Sequence, residues 1–215
     1  MGENKFESDV SRLVKRLSDG ESPKIRSKLS QVRSELARLY RSKLVKINHS
    51  VMELLVAKTL ILQGYDVKVE QRVSETLVCD VYGKREDADI LVELETGYVP
   101  PAHALDPENY CNARIASKTA RYSQFASRFV LGTPVSNLIS IPELFLKPAS
   151  AREIEDAKQV KRLCDRYYDN PPITMDQIMS AHLHAVYLLD VDTLTIYEVP
   201  PEHYHRQVAQ LKFKR

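Results

Sequence analysis

Apolar residues recur at helical spacing twice near the start of the chain. Phe6, Val10, Leu13 and Leu17 are separated by four, three and four residues, and after the breaker Asp19-Gly20-Glu21-Ser22-Pro23 the same spacing returns at Ile25, Leu29, Val32, Leu36 and Leu39. This predicts a helical hairpin over residues 1–46, whose narrow stripes need a covering surface, either the body of the protein or a second subunit. From Val51 the pattern changes. VMELLVAKTLILQ is apolar nearly all round, as a buried helix is, and the segments DVKVEQRV, TLVCDVYG and ADILVELE alternate with period two, which predicts three short antiparallel strands.

Beyond a Pro-rich loop, Asp106-Pro107-Glu108 combines an N-cap, a proline at the first helical position and an early acid. The helix it opens is expected to run far enough to set Arg114, Lys118, Arg121 and Arg128 on one face, with Ile115, Tyr122, Phe125 and Phe129 on the apolar side. FVLGTP reads as a strand, and the stretch from Val135 to Pro148 as a loop or short-helix excursion. Ser150 to Glu153 and Thr174 to Gln177 have the form of capping boxes, the first opening a helix to about Tyr168. HLHAVYLLDVDTLTIYEV predicts a hairpin turning at Asp190 to Thr193 that extends the main sheet, followed by a helix over Glu202 to Leu211 and the basic tail LKFKR. The expected fold class is α/β in the α+β sense, a central mixed sheet flanked by helices, with a hairpin domain at 1–46 and a main domain at 47–215.

Composition narrows the reading. With 215 residues, 43% hydrophobic and 28% charged, the chain can bury one good core plus an appendage. No apolar run reaches the roughly 18 residues of a membrane span, and MGENKFESD lacks the hydrophobic region of a signal peptide, so a soluble, intracellular protein without membrane contact is expected. Cys79, Cys111 and Cys164 are odd in number and far apart, against a disulfide framework. The His182/His184 and His203/His205 pairs lack a third clustered ligand. Residues 1–46 hold twelve Lys and Arg against six Asp and Glu, a net of +6, which leaves −4 for the rest of a chain whose total is +2. A basic arm on a mildly acidic body suits nucleic acid, and equally a solvated helical surface.

The carboxylates carry the candidate chemistry. Glu53 sits within the apolar surface of its helix, with Val56 and Ala57 three and four residues on, and a carboxylate buried without a partner costs several kcal/mol, roughly. In the third strand Ile90, Val92 and Leu94 share one face, which leaves Glu93 and Glu95 on the other, and Asp80 lies in the neighbouring strand. Clustered oxygens of this kind suit a hard divalent cation such as Mg2+ or Mn2+. The bland alternative is a solvated sheet face with Glu53 paired to a Lys or Arg.

A helix Glu, a strand Asp and a strand Glu-x-Glu, with twelve residues between Asp80 and Glu93, resemble the PD-(D/E)XK nuclease superfamily, and in particular archaeal and archaeal-virus members such as Holliday-junction resolvases. The resemblance covers about a quarter of the chain. It implies a restriction-endonuclease-like core, Glu53, Asp80 and Glu93 as ligands of Mg2+ or Mn2+, and metal-dependent DNA cleavage, of branched DNA or DNA ends. Two departures bear on activity: Cys79 stands where the family often has Pro, and Glu95 where it usually has Lys. Either Glu95 is a further ligand or base, or another cation such as Lys118 substitutes, or the site is impaired. The row Arg114, Lys118, Arg121 and Arg128 is the expected contact for DNA phosphates. A homodimer is expected, because cutting two strands or a symmetric junction needs two sites related by a two-fold axis. The rival readings are a nuclease-fold DNA-binding module without catalysis, and a structural or assembly protein that works through its helical hairpin.

Overall fold

The computed structural model of the protein describes residues 2–45 and 47–212. Lys46, at the expected domain boundary, and residues 213–215 of the expected basic tail lie outside the described residues. By its packing the chain divides into two compact units, Met1–Leu94 with Leu189–Tyr197, and Glu95–Leu188 with Glu198–Arg215.

The first unit begins with α1 (Gly2–Leu17) and α2 (Pro23–Arg41). Pro23 stands at the first helical position of α2, and the Ser22 hydroxyl accepts the Ile25 N–H. The buried stripe of α1 is Phe6, Val10, Val14 and Leu17, so Val14 replaces the expected Leu13, which is half-buried. Leu29, Val32, Leu36 and Leu39 are buried on α2, while Ile25 is half-buried. Phe6 stacks on Tyr40, Glu7 pairs with Arg41, and Glu21 in the connecting turn meets Lys58 of α3 (Ile47–Leu62) at 3.0 Å. The stripes are therefore covered within their own unit. On α3, Met52, Leu54, Leu55, Val56, Ala57, Leu60 and Ile61 are all buried, as the unbroken apolar run predicts.

Three antiparallel strands follow: β1 (Asp66–Arg72), β2 (Val78–Arg85) and β3 (Ala88–Leu94). Their register pairs Val69 with Val81 and Val81 with Val92, so branched side chains fill one face. A Cβ on Gly83 would lie 2.9 Å from Ile90, 3.2 Å from Tyr65 and 3.3 Å from Leu60. Glycine there lets the helix and strands close up.

The second unit contains α4 (Pro107–Tyr122), β4 (Arg128–Pro134), α5 (Ile154–Asp165) and α6 (Met175–Ser180). β5 (Ala185–Asp190) and β6 (Thr195–Val199) complete a six-stranded mixed sheet in the order β1-β2-β3-β4-β5-β6, flanked by helices, and α7 (Pro201–Lys212) ends the described chain. This is the expected α+β architecture. At the hairpin turn the Asp190 carboxylate accepts the N–H groups of Asp192 and Thr193.

Two local expectations need correcting. α4 stops at Tyr122, passes into a 3-10 turn over Ser123–Phe125, and Arg128 opens β4 instead of extending the helix. The run Phe129 to Leu131 is fully buried strand, and its demand for extended backbone overrides the helical spacing upstream. Nor does Ser150 cap a helix. Arg152 is extended (φ −83°, ψ 133°), and its buried guanidinium donates to the carbonyls of Leu144, Lys147, Ile178 and Met179, which delays the start of α5 to Ile154. The Thr174/Gln177 capping box forms in full.

Candidate metal centre

The first unit brings one group of donors together. One ligand atom from each of His49, Glu53 and Asp80 lies within 4.8 Å of the other two. His49 and Glu53 are four residues apart, hence on the same face of α3, and His49 Nδ1 is 3.7 Å from an Asp80 oxygen. Metal–oxygen bonds near 2.1 Å set opposite ligands about 4.2 Å apart, so small side-chain rotations would let these three meet one ion.

Glu53 is fully buried, and neither of its oxygens makes a hydrogen bond of good geometry, although the Ser50 hydroxyl and the Glu70 carboxyl lie close enough to act on it. Burial pushes its carboxyl well above the usual range, the nearby Asp80 and Glu70 carboxylates push it further, and the Ser50 hydroxyl draws it partly back. Seven buried apolar residues along α3 pin the helix against its unit. A buried polar group left without a partner is a standing cost, and a cation would remove it.

Asp80 and Glu93 are tied to each other's strands. An Asp80 oxygen accepts the Leu94 N–H at 2.6 Å, and a Glu93 oxygen accepts the Asp80 N–H at 3.2 Å. These bonds take over where the backbone pairing of β2 and β3 ends, at Val81 and Val92. Both carboxylates are thereby fixed in position, with Asp80 13% exposed along its side chain and Glu93 buried. Glu93 stands beside the donor group and is bonded to the Asp80 amide, while His49 is the member that the residue pattern had not singled out. Its signal is the H-x-x-x-E spacing on one helical face.

Glu95 lies beyond the end of β3, in the second unit, and has structural work there. Its side chain is 5% exposed and accepts from Arg114 at 2.6 Å and from the Gly97 N–H at 2.8 Å. Arg114 also donates to the Tyr98 carbonyl and lies over the Tyr110 ring. Of the other expected phosphate contacts, Arg121 donates to the Pro171 carbonyl, Arg128 pairs with Glu198, and Lys118 is half-buried on α4. They do not form one exposed helical ridge.

Other chemistry-bearing residues resolve into packing. Burial, first of all, and then the Glu93 and Asp80 carboxylates push the Cys79 thiol up, away from a nucleophilic thiolate. His184 uses Nδ1 to accept the Phe129 N–H at 3.0 Å, so its neutral ring carries its proton on Nε2 and offers no lone pair to a metal. Burial holds its pKa down, with His182 and Arg128 adding to the effect. Among the described residues, no helix is long and apolar enough to cross a membrane. No protein family, curated protein or solved structure matches the chain.

Proposed function

We propose that the protein is a divalent-metal-dependent deoxyribonuclease, acting on branched DNA or DNA ends, with its ion held by His49, Glu53 and Asp80 and supported by Glu93. The observation that carries this reading is Glu53: a fully buried carboxylate with no hydrogen bond of good geometry, grouped with two other donors within 4.8 Å. The donor set of carboxylates and one imidazole favours Mn2+, which accepts both ligand types, over Mg2+, which prefers oxygen alone. A bound divalent ion supplies a water of lowered pKa and offsets charge on phosphodiester oxygens.

The chain's own residues do the positioning. Asp80 and Glu93 are fixed by backbone bonds across β2 and β3, and Glu53 and His49 are held by the buried helix. Exposed Arg12, Lys15 and Lys24 belong to the segment with a net charge of +6 and offer a polyanion a sequence-independent grip. A homodimer belongs to this reading because two-strand cleavage needs two sites.

Plasmid or junction DNA incubated with Mn2+ should be cut by the wild type and left intact by Asp80→Ala. A second reading, a DNA-binding module without catalysis, is favoured by the engagement of Glu95 with Arg114, where the resemblance would have a catalytic Lys. Intact DNA together with tight, metal-independent binding would decide for the module. Absence of both cleavage and binding would refute both.

A further inference from the structure

Mid-strand in β1, Glu70 has a backbone that a side chain does not favour. Its φ is 48°, in the left-handed region, where the Cβ crowds the following carbonyl. In a strand such a residue usually marks a bulge, which inserts an extra residue on one side. Here the register runs through unbroken: Val69 stands across from Val81 and Gln71 across from Cys79, which leaves Glu70 opposite Asp80 with nothing inserted. The strain is not needed for pairing. What it alters is the direction in which the Glu70 side chain leaves the strand.

That direction has two neighbours. On one side α2 and β1 border a cleft of about 310 Å3, lined by Lys28, Gln31, Lys68, Glu70 and Gln71 among others. On the other is the donor group itself: the register sets Glu70 across from Asp80, whose ligand oxygen lies within 4.8 Å of one from the buried Glu53, and the Glu70 carboxyl raises the Glu53 pKa. A strand that uses backbone strain to bring one carboxyl toward another, itself buried and without a hydrogen bond of good geometry, makes sense where a positive charge is to be held. In the absence of one, the pair must hold a proton instead, and the raised Glu53 pKa is the cost of doing so.

We propose that Glu70 is a further carboxylate of the cation site, turned toward Glu53 by its left-handed backbone and facing the cleft between α2 and β1. This rests on the reading of His49, Glu53 and Asp80 as the core of that site. If Glu70 were only a structural residue, its removal would leave metal affinity alone.

Two variants separate the roles. Glu70→Gly removes the carboxylate and relieves the backbone, since glycine accepts positive φ without steric cost, a gain only partly offset by its greater freedom in the unfolded chain. Glu70→Gln removes the charge and keeps the strain. Melting of the full chain in EDTA, and calorimetric titration with Mn2+ alone, should be measured for both and for the wild type. In EDTA, Glu70→Gly should melt about 2–4 °C higher than the wild type, and more than Glu70→Gln does. Both variants should bind Mn2+ at least about tenfold more weakly. Wild-type affinity in both variants, or a lower melting point for Glu70→Gly in EDTA, would overturn the role of Glu70 while leaving the cation site standing. No Mn2+ binding by the wild type would overturn the cation site itself, and with it this inference.

Discussion

Replacing Glu53 by methionine should stabilise the protein while abolishing its response to metal. Methionine has nearly the length of glutamate, suits the apolar surroundings of α3, and leaves no polar atom unpaired. The buried carboxyl it removes makes no hydrogen bond of good geometry on either oxygen, a defect worth about 1–3 kcal/mol in mutational series. At neutral pH and without metal, Glu53→Met should therefore raise stability by about that amount, and the melting point by about 2–4 °C per kcal/mol. The effect must depend on pH. Burial first, then Asp80 and Glu70, raise the Glu53 pKa in the folded chain, so the folded state keeps its proton at pH values where the unfolded chain has lost it. Stability of the wild type is then fully present below the unfolded carboxyl value, near pH 4, and is lost as pH climbs through the raised folded value. The advantage of Glu53→Met should be smallest near about pH 4 and grow toward neutrality. Mn2+ at a hundred times its Kd adds about 2.7 kcal/mol to the wild type by mass action and little to the variant, which narrows or reverses the order. Urea melts in EDTA and in Mn2+, at several pH values and with an unchanged m-value, read all of this. A variant less stable than the wild type in EDTA at neutral pH, or a difference flat with pH, would show that Glu53 already has a partner and would refute the reasoning.

Three further outcomes follow from contacts in the second unit. Arg114→Met strands the buried Glu95 carboxylate and should cost about 3–5 kcal/mol in urea denaturation. Arg152→Met removes the donor shared by four carbonyls, each charge-assisted bond being worth about 1.5–3 kcal/mol, so a loss of at least about 3 kcal/mol is expected in the same assay. Thr174→Ala should cost about 1 kcal/mol, whereas Ser150→Ala should stay within about 0.5 kcal/mol, because only the first residue caps a helix.

Local physics explains why some of this was legible in the residues and some was not. Alternation in DVKVEQRV and ADILVELE marks strands because a pleat buries every second side chain, and β1 and β3 lie there. The apolar run around Glu53 marks a buried helix, and the anomaly of a carboxylate inside it led to the candidate site. His49 escaped because it falls where the hairpin was expected to give way to the main domain, although its spacing from Glu53 is a same-face signal. Arg114 and Glu95 meet across nineteen residues of sequence, and Arg152 reaches carbonyls 26 and 27 residues away. No periodicity encodes such partners, so helical spacing predicts a ridge of exposed cations where the chain ties its arginines into internal bonds. Helix spacing beyond Tyr122 misled for a related reason: burial of Phe129, Val130 and Leu131 decides the backbone there.

The discontinuity of the first unit has a consequence for the order of events at the ribosome. Its final piece, Leu189–Tyr197, is made only after residues 95–188, and Arg16 of α1 donates to the Asp192 carbonyl within that piece. At about 5–20 residues per second, those intervening residues take roughly 5–20 s to synthesise. His49, Glu53, Asp80 and Glu93 have all emerged by then, so the donors can assemble well before their unit gains its last strand segment. Under the proposed reading, a nascent chain stalled once residue 94 has cleared the ribosome would already present these donors to a divalent ion, so the test of the site extends to metal added during synthesis as well as to the finished protein.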